Sequence, residues 1–172
     1  MRRSEILSLT WDKVDLKERM IRLESADTKE GLSKKVPISK TLKIILEKLP
    51  RGLHNDYVFW FRGKPIRDIR EGLIRGCKNA DIPYGRKVKD GFTFHYLRHT
   101  TKTIMRKAGV DKNVRAVIFG HSVSGDMDFR YDHVDEVDLL DAIDRTEVFL
   151  ESVSQNVSQA GKKLNKNKST SP

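Results

Sequence analysis

Two histidines and an arginine lie within five residues of one another in the segment FTFHYLRHTTKTIMRKAG, residues 92–109. His95 and Arg98 are three positions apart and His95 and His99 are four apart, so a helix would place them on one face. An arginine can bind two phosphate oxygens and stays charged, while a histidine exchanges a proton near neutral pH. The combination suits a site that acts on a phosphodiester, but a solvated basic helix face would have the same composition.

Cutting a phosphodiester without a metal ion requires more than this one segment. Negative charge on the phosphate grows in the transition state, so a second arginine would help to stabilise it. A nucleophile, an acid for the leaving oxygen and a base for the nucleophile's proton complete the set. Residues from other parts of the chain must supply these groups, and the fold must bring them together.

The composition of the 172-residue chain favours a polyanionic partner. The formal net charge is +10 and the pI is about 9.7, a balance typical of proteins that bind nucleic acid or, less often, an acidic membrane face. The single cysteine, Cys77, excludes an intrachain disulfide and a cysteine-based metal cluster. Because there is no apolar run of membrane-spanning length and no signal-peptide pattern, we expect a cytoplasmic protein with no membrane contact.

Hydrophobic periodicity predicts an α+β fold that is mainly α-helical. Helical patterns cover residues 1–11, 39–49, 66–80, 92–109 and 111–120, and a last one begins near Asp135. Ser39 and Asp111 are suited to cap helices, and Gly109 and Gly120 to end them. The runs MIRL and KKVPIS flank the loop composition DTKEG, and YVFWF at 57–61 suits a third strand or an extended core segment. We therefore expect a small antiparallel β-hairpin or three-stranded sheet near the N-terminus.

The composition changes near residue 150. Residues 1–150 contain the periodic apolar patterns, and we assign them to one folded domain. Residues 151–172, ESVSQNVSQAGKKLNKNKSTSP, contain four lysines, one glutamate and few large apolar side chains. This composition predicts a flexible basic tail.

Five motifs in chain order resemble those of the tyrosine recombinases, also called phage-type integrases. The resemblance covers roughly residues 1–147. The motifs are MRRSEILSLTW with Arg2 and Glu5, DTKEGLSKKVPIS with Lys29, FHYLRHT with His95 and Arg98, FGHS with His121, and DFRYDHV with Tyr131. Each motif alone is a weak pattern, and their shared order carries the resemblance.

The resemblance implies a helical catalytic domain that cuts and rejoins DNA at specific sites. By this analogy Tyr131 attacks a DNA phosphate and forms a 3′-phosphotyrosyl bond, which frees a 5′ hydroxyl. His95 accepts the proton of Tyr131, and Lys29 protonates the leaving 5′ oxygen. Neither a cofactor nor a metal ion is implied, because the phosphotyrosyl ester conserves the bond energy.

The same analogy assigns the charges around the phosphate. Arg2 and Arg98 are expected to hold the non-bridging oxygens, and His121 to hydrogen-bond the phosphate. We expect His99 and His133 to support the site rather than to react.

The implied partner is double-stranded DNA, on which the protein forms a homo-oligomer through the C-terminal helix that begins near Asp135. Family members usually carry an N-terminal DNA-binding domain and further helices ahead of the first arginine. We therefore expect residues 1–150 to be an N-terminally truncated catalytic domain.

Two alternatives stay open on the sequence alone. A type IB topoisomerase-like enzyme would use similar chemistry to nick and reseal one duplex, and would relax supercoils without strand exchange. A catalytically inert, DNA-binding remnant of a mobile-element integrase would bind DNA in a salt-sensitive manner and form no covalent product.

Overall fold

The fold is described from a computed structural model, which covers residues 1–29, 31–52, 56–120 and 134–168, with the helical backbone alone from residue 156 onward. The helices in these ranges are α1 (Arg3–Leu7), α2 (Lys40–Glu47), α3 (Arg70–Asn79), α4 (Phe94–Lys107), α5 (Lys112–Phe119) and α6 (Glu136–Lys168). The strands are β1 (Val14–Asp15), β2 (Met20–Leu23), β3 (Lys34–Pro37), β4 (Trp60–Phe61) and β5 (Lys64–Pro65). The predicted α+β, mainly helical fold is confirmed.

The first sheet is antiparallel, with strand order β1-β2-β3. Val14 is paired with Ile21 across β1 and β2, and Leu23 is paired with Lys34 across β2 and β3. The predicted hairpin therefore forms, and β1 adds the third strand of the sheet.

The segment at 57–61 combines its two predicted forms, with a core residue at Val58 and a short strand at its end. Val58 is buried, and its N–H donates to the Leu9 carbonyl at 2.8 Å. The end of the segment forms β4, which pairs with β5 in a separate hairpin. Arg62 and Gly63 connect these strands with φ values of 50° and 76°, and positive φ at both central residues is typical of the tight two-residue turn that joins hairpin strands.

Strand β2 separates two hydrophobic cores. Met20 and Ile21 are neighbours in the chain, so their side chains point to opposite faces of the sheet. One core packs Ile21 with residues of the N-terminal half: Leu9, Leu23, Ile38, Leu46 and Val58. The other packs Met20 with residues of α4, α5, α6 and the connection between α4 and α5: Met105, Val110, Ile118, Phe119, Leu139 and Ala142. The sheet thereby lies between the N-terminal half of the chain and the helices α4, α5 and α6, of which α4 carries His95 and Arg98.

The helix boundaries around α4 and α5 agree with the capping residues expected from the sequence. The Asp111 carboxylate accepts the Asn113 N–H at 2.6 Å and so caps the start of α5. Gly109 and Gly120 have φ values of 75° and 61°. Both lie in the left-handed region that glycine adopts without strain, so each can end the helix before it.

The first part of α6 is fastened to the N-terminal half of the same chain. Arg19 donates to both carboxylate oxygens of Asp144, and Glu147 accepts the first two N–H groups of α2 at 3.1 and 2.8 Å. The helix then continues to Lys168, through most of the stretch expected to be a flexible tail. The division into a domain and a tail near residue 150 stays a prediction.

None of the helices in the described part of the chain combines the length and apolar character required to cross a membrane.

Candidate active site

Arg98 is held at the start of α4 by the end of α5. Its Nη2 donates to the Phe119 carbonyl, and its guanidinium carbon lies 4.9 Å from the centre of the Phe119 ring. The other terminal nitrogen, Nη1, is buried and has no hydrogen-bond partner among the described residues. A buried donor without a partner is uncommon in proteins. Arg98 therefore combines a fixed position with a buried N–H group that has no partner among the described residues.

Arg2 and Glu5 are positioned by the first turn of α1. The Glu5 carboxylate accepts the backbone N–H of Arg2 at 2.6 Å, and its Oε1 lies 3.8 Å from Nη1 of Arg2. The Glu5 side chain is 1% exposed and that of Arg2 is 29% exposed. The motif spacing of three residues therefore has a physical role, because the acid fixes the backbone that carries the arginine.

Glu5 makes a second ion pair that the sequence motifs did not predict. Lys34 on β3 donates to Oε2 of Glu5 at 2.7 Å, and the two side chains are 5% and 1% exposed. Burial acts to raise the pKa of Glu5, but the hydrogen bonds from Lys34 and from the Arg2 N–H outweigh it, so the pKa lies below its usual range. Burial lowers the pKa of Lys34 against the opposing effect of Glu5, and the charges of Arg98 and Arg2 lower it further. One carboxylate thus lies among three cations.

The two histidines of α4 contact each other edge to face. The ring centres of His95 and His99 are 4.5 Å apart, with an angle of 85° between the ring planes. Burial lowers the pKa of His95, and the charges of His99, Arg98, Arg86 and Arg2 lower it further. These effects favour the neutral imidazole of His95, the form that can accept a proton.

A cavity of about 700 Å³ brings these side chains together. Arg2, His95, Arg98 and His99 line it, together with Tyr84 and Arg86. A larger opening of about 970 Å³, between β3, α5 and the start of α6, contains none of the predicted catalytic residues that the structure describes. The smaller cavity is the candidate active site because Arg2, Arg98 and the His95 imidazole all line it.

Lys29 lies apart from this cavity lining. It is exposed in the connection between β2 and β3, and it is not one of the residues that form the cavity wall. Its neighbour Thr28 holds the turn, because the Thr28 hydroxyl accepts the Leu32 N–H at 3.1 Å and donates to the Leu32 carbonyl at 2.8 Å. The part of Lys29 in the site stays a prediction.

His121 and Tyr131 lie outside the described residues, as does His133. The described chain on the N-terminal side of this segment ends at Gly120, against the Lys34 side chain. On the C-terminal side it resumes at Val134, which packs on the core that contains Phe119 and Leu139.

The motifs did not mark Lys34, and the signal for it is its place in the sheet. In β3 Lys34 is buried and its neighbour Lys35, which points to the opposite face, is exposed. Lys34 is also paired with the buried Leu23. A lysine at an inward strand position requires a buried acid, and Glu5 is that acid.

Among the described residues, no three His, Cys, Asp or Glu side chains lie close enough together to hold a metal ion.

Comparison with known proteins identifies the family. The model of the phage integrase family matches residues 1–137. The chain is 33% identical over 147 residues to a shufflon-specific DNA recombinase of Escherichia coli, covering 84% of this chain and 34% of that protein. It is 26% identical over 141 residues to the integrase of Salmonella phage P22, covering 78% of this chain and 36% of that protein. The chain thus spans about a third of the length of these curated relatives. No solved structure matches it.

Three observations agree on the family: the order of the motifs, the shared cavity of Arg2, His95 and Arg98, and the match over residues 1–137. The chain belongs to the phage integrase family.

Proposed function

We propose that this chain is the catalytic domain of a site-specific DNA recombinase, which cuts and rejoins double-stranded DNA through a 3′-phosphotyrosyl intermediate. One observation carries the proposal. Arg2 and Arg98 line the same cavity as His95, and Arg98 presents a buried Nη1 that has no hydrogen-bond partner among the described residues. A phosphate oxygen is the acceptor that suits such a donor.

In the proposed step the hydroxyl oxygen of Tyr131 forms a bond to phosphorus while the bond from phosphorus to the 5′ oxygen breaks. The Tyr131 proton passes to His95, and the leaving 5′ oxygen takes a proton from Lys29. A 5′ hydroxyl of a partner strand then attacks the phosphotyrosyl ester and releases Tyr131. No cofactor or metal ion enters this scheme, because the ester conserves the energy of the broken bond.

The charges of the site support its fit to a phosphate. Burial lowers the pKa of Arg98 and the charge of Arg2 lowers it further, while Glu5 opposes both effects. Arginine nevertheless stays charged, so the two guanidinium groups repel each other without a ligand. A phosphodiester between them relieves that repulsion, and the pentavalent transition state relieves it further because its charge is greater. His121 is proposed to add a hydrogen bond to the same phosphate.

The proton acceptor is supported by the electrostatics of His95. Burial of the imidazole, together with the positive charges around it, holds its pKa below the usual range. A neutral imidazole can take the proton of a tyrosine, whose own pKa is about 10 in water. Nearby positive charge also stabilises the phenolate that forms.

The partner and the assembly are part of the same proposal. A net charge of +10 suits double-stranded DNA, and a cytoplasmic location gives access to it. We include a homo-oligomer on DNA that forms through the C-terminal helix. Beyond the part of α6 fastened by Asp144 and Glu147, the helix exposes Val148, Leu150 and Val153, which suits contact with a second copy.

The proposal is tested with a DNA substrate nicked near the cleavage point, so that a cut strand is lost and the covalent complex accumulates. Wild-type protein should give a DNA-linked band on a denaturing gel. Tyr131→Phe should bind DNA normally and give no such band, and Tyr57→Phe, which lies outside the cavity lining, serves as the matched control.

Other outcomes would redirect the proposal. Salt-sensitive DNA binding with no band from wild-type protein would indicate an inert remnant. A band together with relaxation of supercoiled DNA and no strand exchange would indicate a topoisomerase-like enzyme.

A further inference from the structure

We infer that Lys34 is a positioning residue that connects the supports of both site arginines. The inference builds on the proposed function, because it concerns how the phosphate-binding arginines are held. Lys34 does not line the cavity that contains Arg2 and Arg98, so its effect on the reaction passes through its neighbours.

On one side Lys34 supports Arg2 through Glu5. The ammonium group donates to Oε2 of Glu5 at 2.7 Å, and the same oxygen accepts the Arg2 N–H at 2.6 Å. Both side chains of the ion pair are almost completely buried. Lys34 therefore fixes the carboxylate that fixes the backbone of Arg2.

On the other side Lys34 supports the end of α5, which holds Arg98. A Cβ atom placed on Gly120 would lie 3.2 Å from Cδ of Lys34 and 3.8 Å from its Nζ. The lysine stem thus packs directly against the residue that ends α5. The preceding residue, Phe119, accepts a hydrogen bond from Arg98 and places its ring beneath the guanidinium.

The chemistry of the site explains why the residue is a lysine. The side chain must reach from β3 to the Glu5 carboxylate and carry a positive charge there, because a buried carboxylate without a partner is strongly unfavourable. It must also be thin enough to pass beside Gly120. An arginine would keep the charge, but its planar fork is wider and would press on the end of α5.

The decisive experiment removes the charge pair as a unit. Lys34→Met combined with Glu5→Gln leaves no buried charge unpaired, so the fold is retained and the melting temperature stays near that of wild type. Lys35→Met is the matched control, because Lys35 is the next residue on β3 and is 53% exposed. Two readouts are compared: the ¹⁵N–¹H signals of the arginine Nε–H groups, assigned with Arg2→Lys and Arg98→Lys, and single-turnover formation of the covalent DNA complex.

In the double variant the signals of Arg2 and Arg98 should both move. Because that variant also removes Glu5, which contacts Arg2 directly, Lys34→Arg is measured beside it: this variant keeps Glu5 and should move the Arg98 signal, while Lys35→Met should leave both signals in place. The single-turnover rate at saturating DNA should fall roughly a hundredfold, as expected when catalytic groups are misplaced by about 1 Å. The DNA dissociation constant should change far less than the rate. If the pair served only to stabilise the fold, the double variant would keep its single-turnover rate, because its melting temperature stays near that of wild type.

Unmoved arginine signals together with a wild-type rate in a folded double variant would overturn the inference. If that variant does not fold, Lys34→Arg takes its place, and an unmoved Arg98 signal there would equally overturn it. If wild-type protein forms no covalent complex, the proposed function fails by itself, and the arginine signals still decide whether Lys34 joins the two supports.

Discussion

At the scale of single residues, the charge balance of the site centres on Glu5. It is a buried carboxylate that accepts hydrogen bonds from Lys34 and from the backbone of Arg2. Its negative charge also acts to raise the pKa of Arg98. A buried ion pair adds little to stability over an apolar replacement, but removing one partner alone is strongly destabilising. Glu5 therefore serves to hold cations in place around the proposed phosphate site.

Glu5→Gln should destabilise the protein in a pH-dependent way. The pKa of Glu5 in the folded protein lies below its ordinary value of 4.5. Its stabilising effect is therefore complete above that pH and is lost as the pH falls through the folded-state pKa. We expect a loss of about 3 kcal/mol near neutral pH, measured by urea unfolding, and a smaller loss in acid.

The exposed Glu18→Gln provides the control for this experiment, since it should change the free energy of unfolding little at either pH. A loss for Glu5→Gln that is equally large in acid and at neutral pH would contradict the ion-pair account.

His95 should set the acid side of the pH profile for covalent complex formation. Since its pKa is lowered, the base is neutral and the rate should stay high below the ordinary histidine value of 6.5, then fall as His95 becomes protonated. His99→Asn removes one of the influences that lower this pKa, so the acid limb should move to higher pH. His95→Gln should reduce the rate by about 10² to 10⁴. If the acid limb of the pH profile is the same in both variants as in wild type, His95 is not the base.

The sequence could predict some of these residues and not others. Arg2, Glu5, His95 and Arg98 were found because family motifs mark them and short helical spacings bring each pair together. Lys34 was missed because its partner lies 29 positions away in the chain. Only the strand register, which is a tertiary property, shows that it points inward.

At the scale of elements, the end of α5 links the helical core to the site. Gly120 ends this helix with a φ of 61° and leaves room for the Lys34 stem. The capping glycines and Asp111 were predictable, because helix ends depend on local chemistry. The pairing of the 57–61 segment was not predictable, because it depends on which other segments of the chain lie beside it with free backbone N–H and C=O groups.

Gly120→Ala should destabilise the protein more than Gly109→Ala. Both glycines have positive φ, so each alanine variant loses about 1 kcal/mol or more from backbone strain. A Cβ at Gly109 meets nothing within 4 Å, whereas one at Gly120 meets Lys34 at 3.2 Å. Thermal unfolding measures the two losses side by side, and equal losses would show that the Lys34 contact at Gly120 has no energetic consequence.

The far part of α6 should support the proposed oligomer. Val148→Ser with Val153→Ser is expected to abolish assembly on DNA, measured by analytical ultracentrifugation, without lowering the melting temperature. Val137→Ser is the matched control, because Val137 is 71% exposed on the part of α6 that is fastened to its own chain. Loss of assembly in the control, or none in the double variant, would contradict this assignment.

At the scale of the whole molecule, the excess positive charge should govern DNA affinity. Each phosphate neutralised by a lysine or arginine releases counterions, so binding weakens as salt rises. For about six phosphate contacts, affinity should fall roughly a thousandfold between about 50 and 200 mM salt, measured by fluorescence anisotropy. A weak salt dependence would show that the charge of +10 is not directed at DNA.

The fold class was predictable at this scale, because helical periodicity and a single hairpin dominate the pattern. The division of the core into two clusters on either side of β2 was not, since it depends on tertiary packing. The helical extension of α6 to Lys168 was also not predicted, because a polar composition alone favoured a tail.

The most direct test of the central claim identifies the residue that becomes linked to DNA. Trypsin cleaves after Arg130 and Arg145, so Tyr131 begins the peptide YDHVDEVDLLDAIDR, in which it is the only tyrosine. The covalent complex would be digested with nuclease and trypsin and analysed by mass spectrometry. We expect this peptide with an added nucleotide phosphate on Tyr131. A phosphate on another residue, or a nucleotide-free peptide from a complex that is covalently joined, would contradict it.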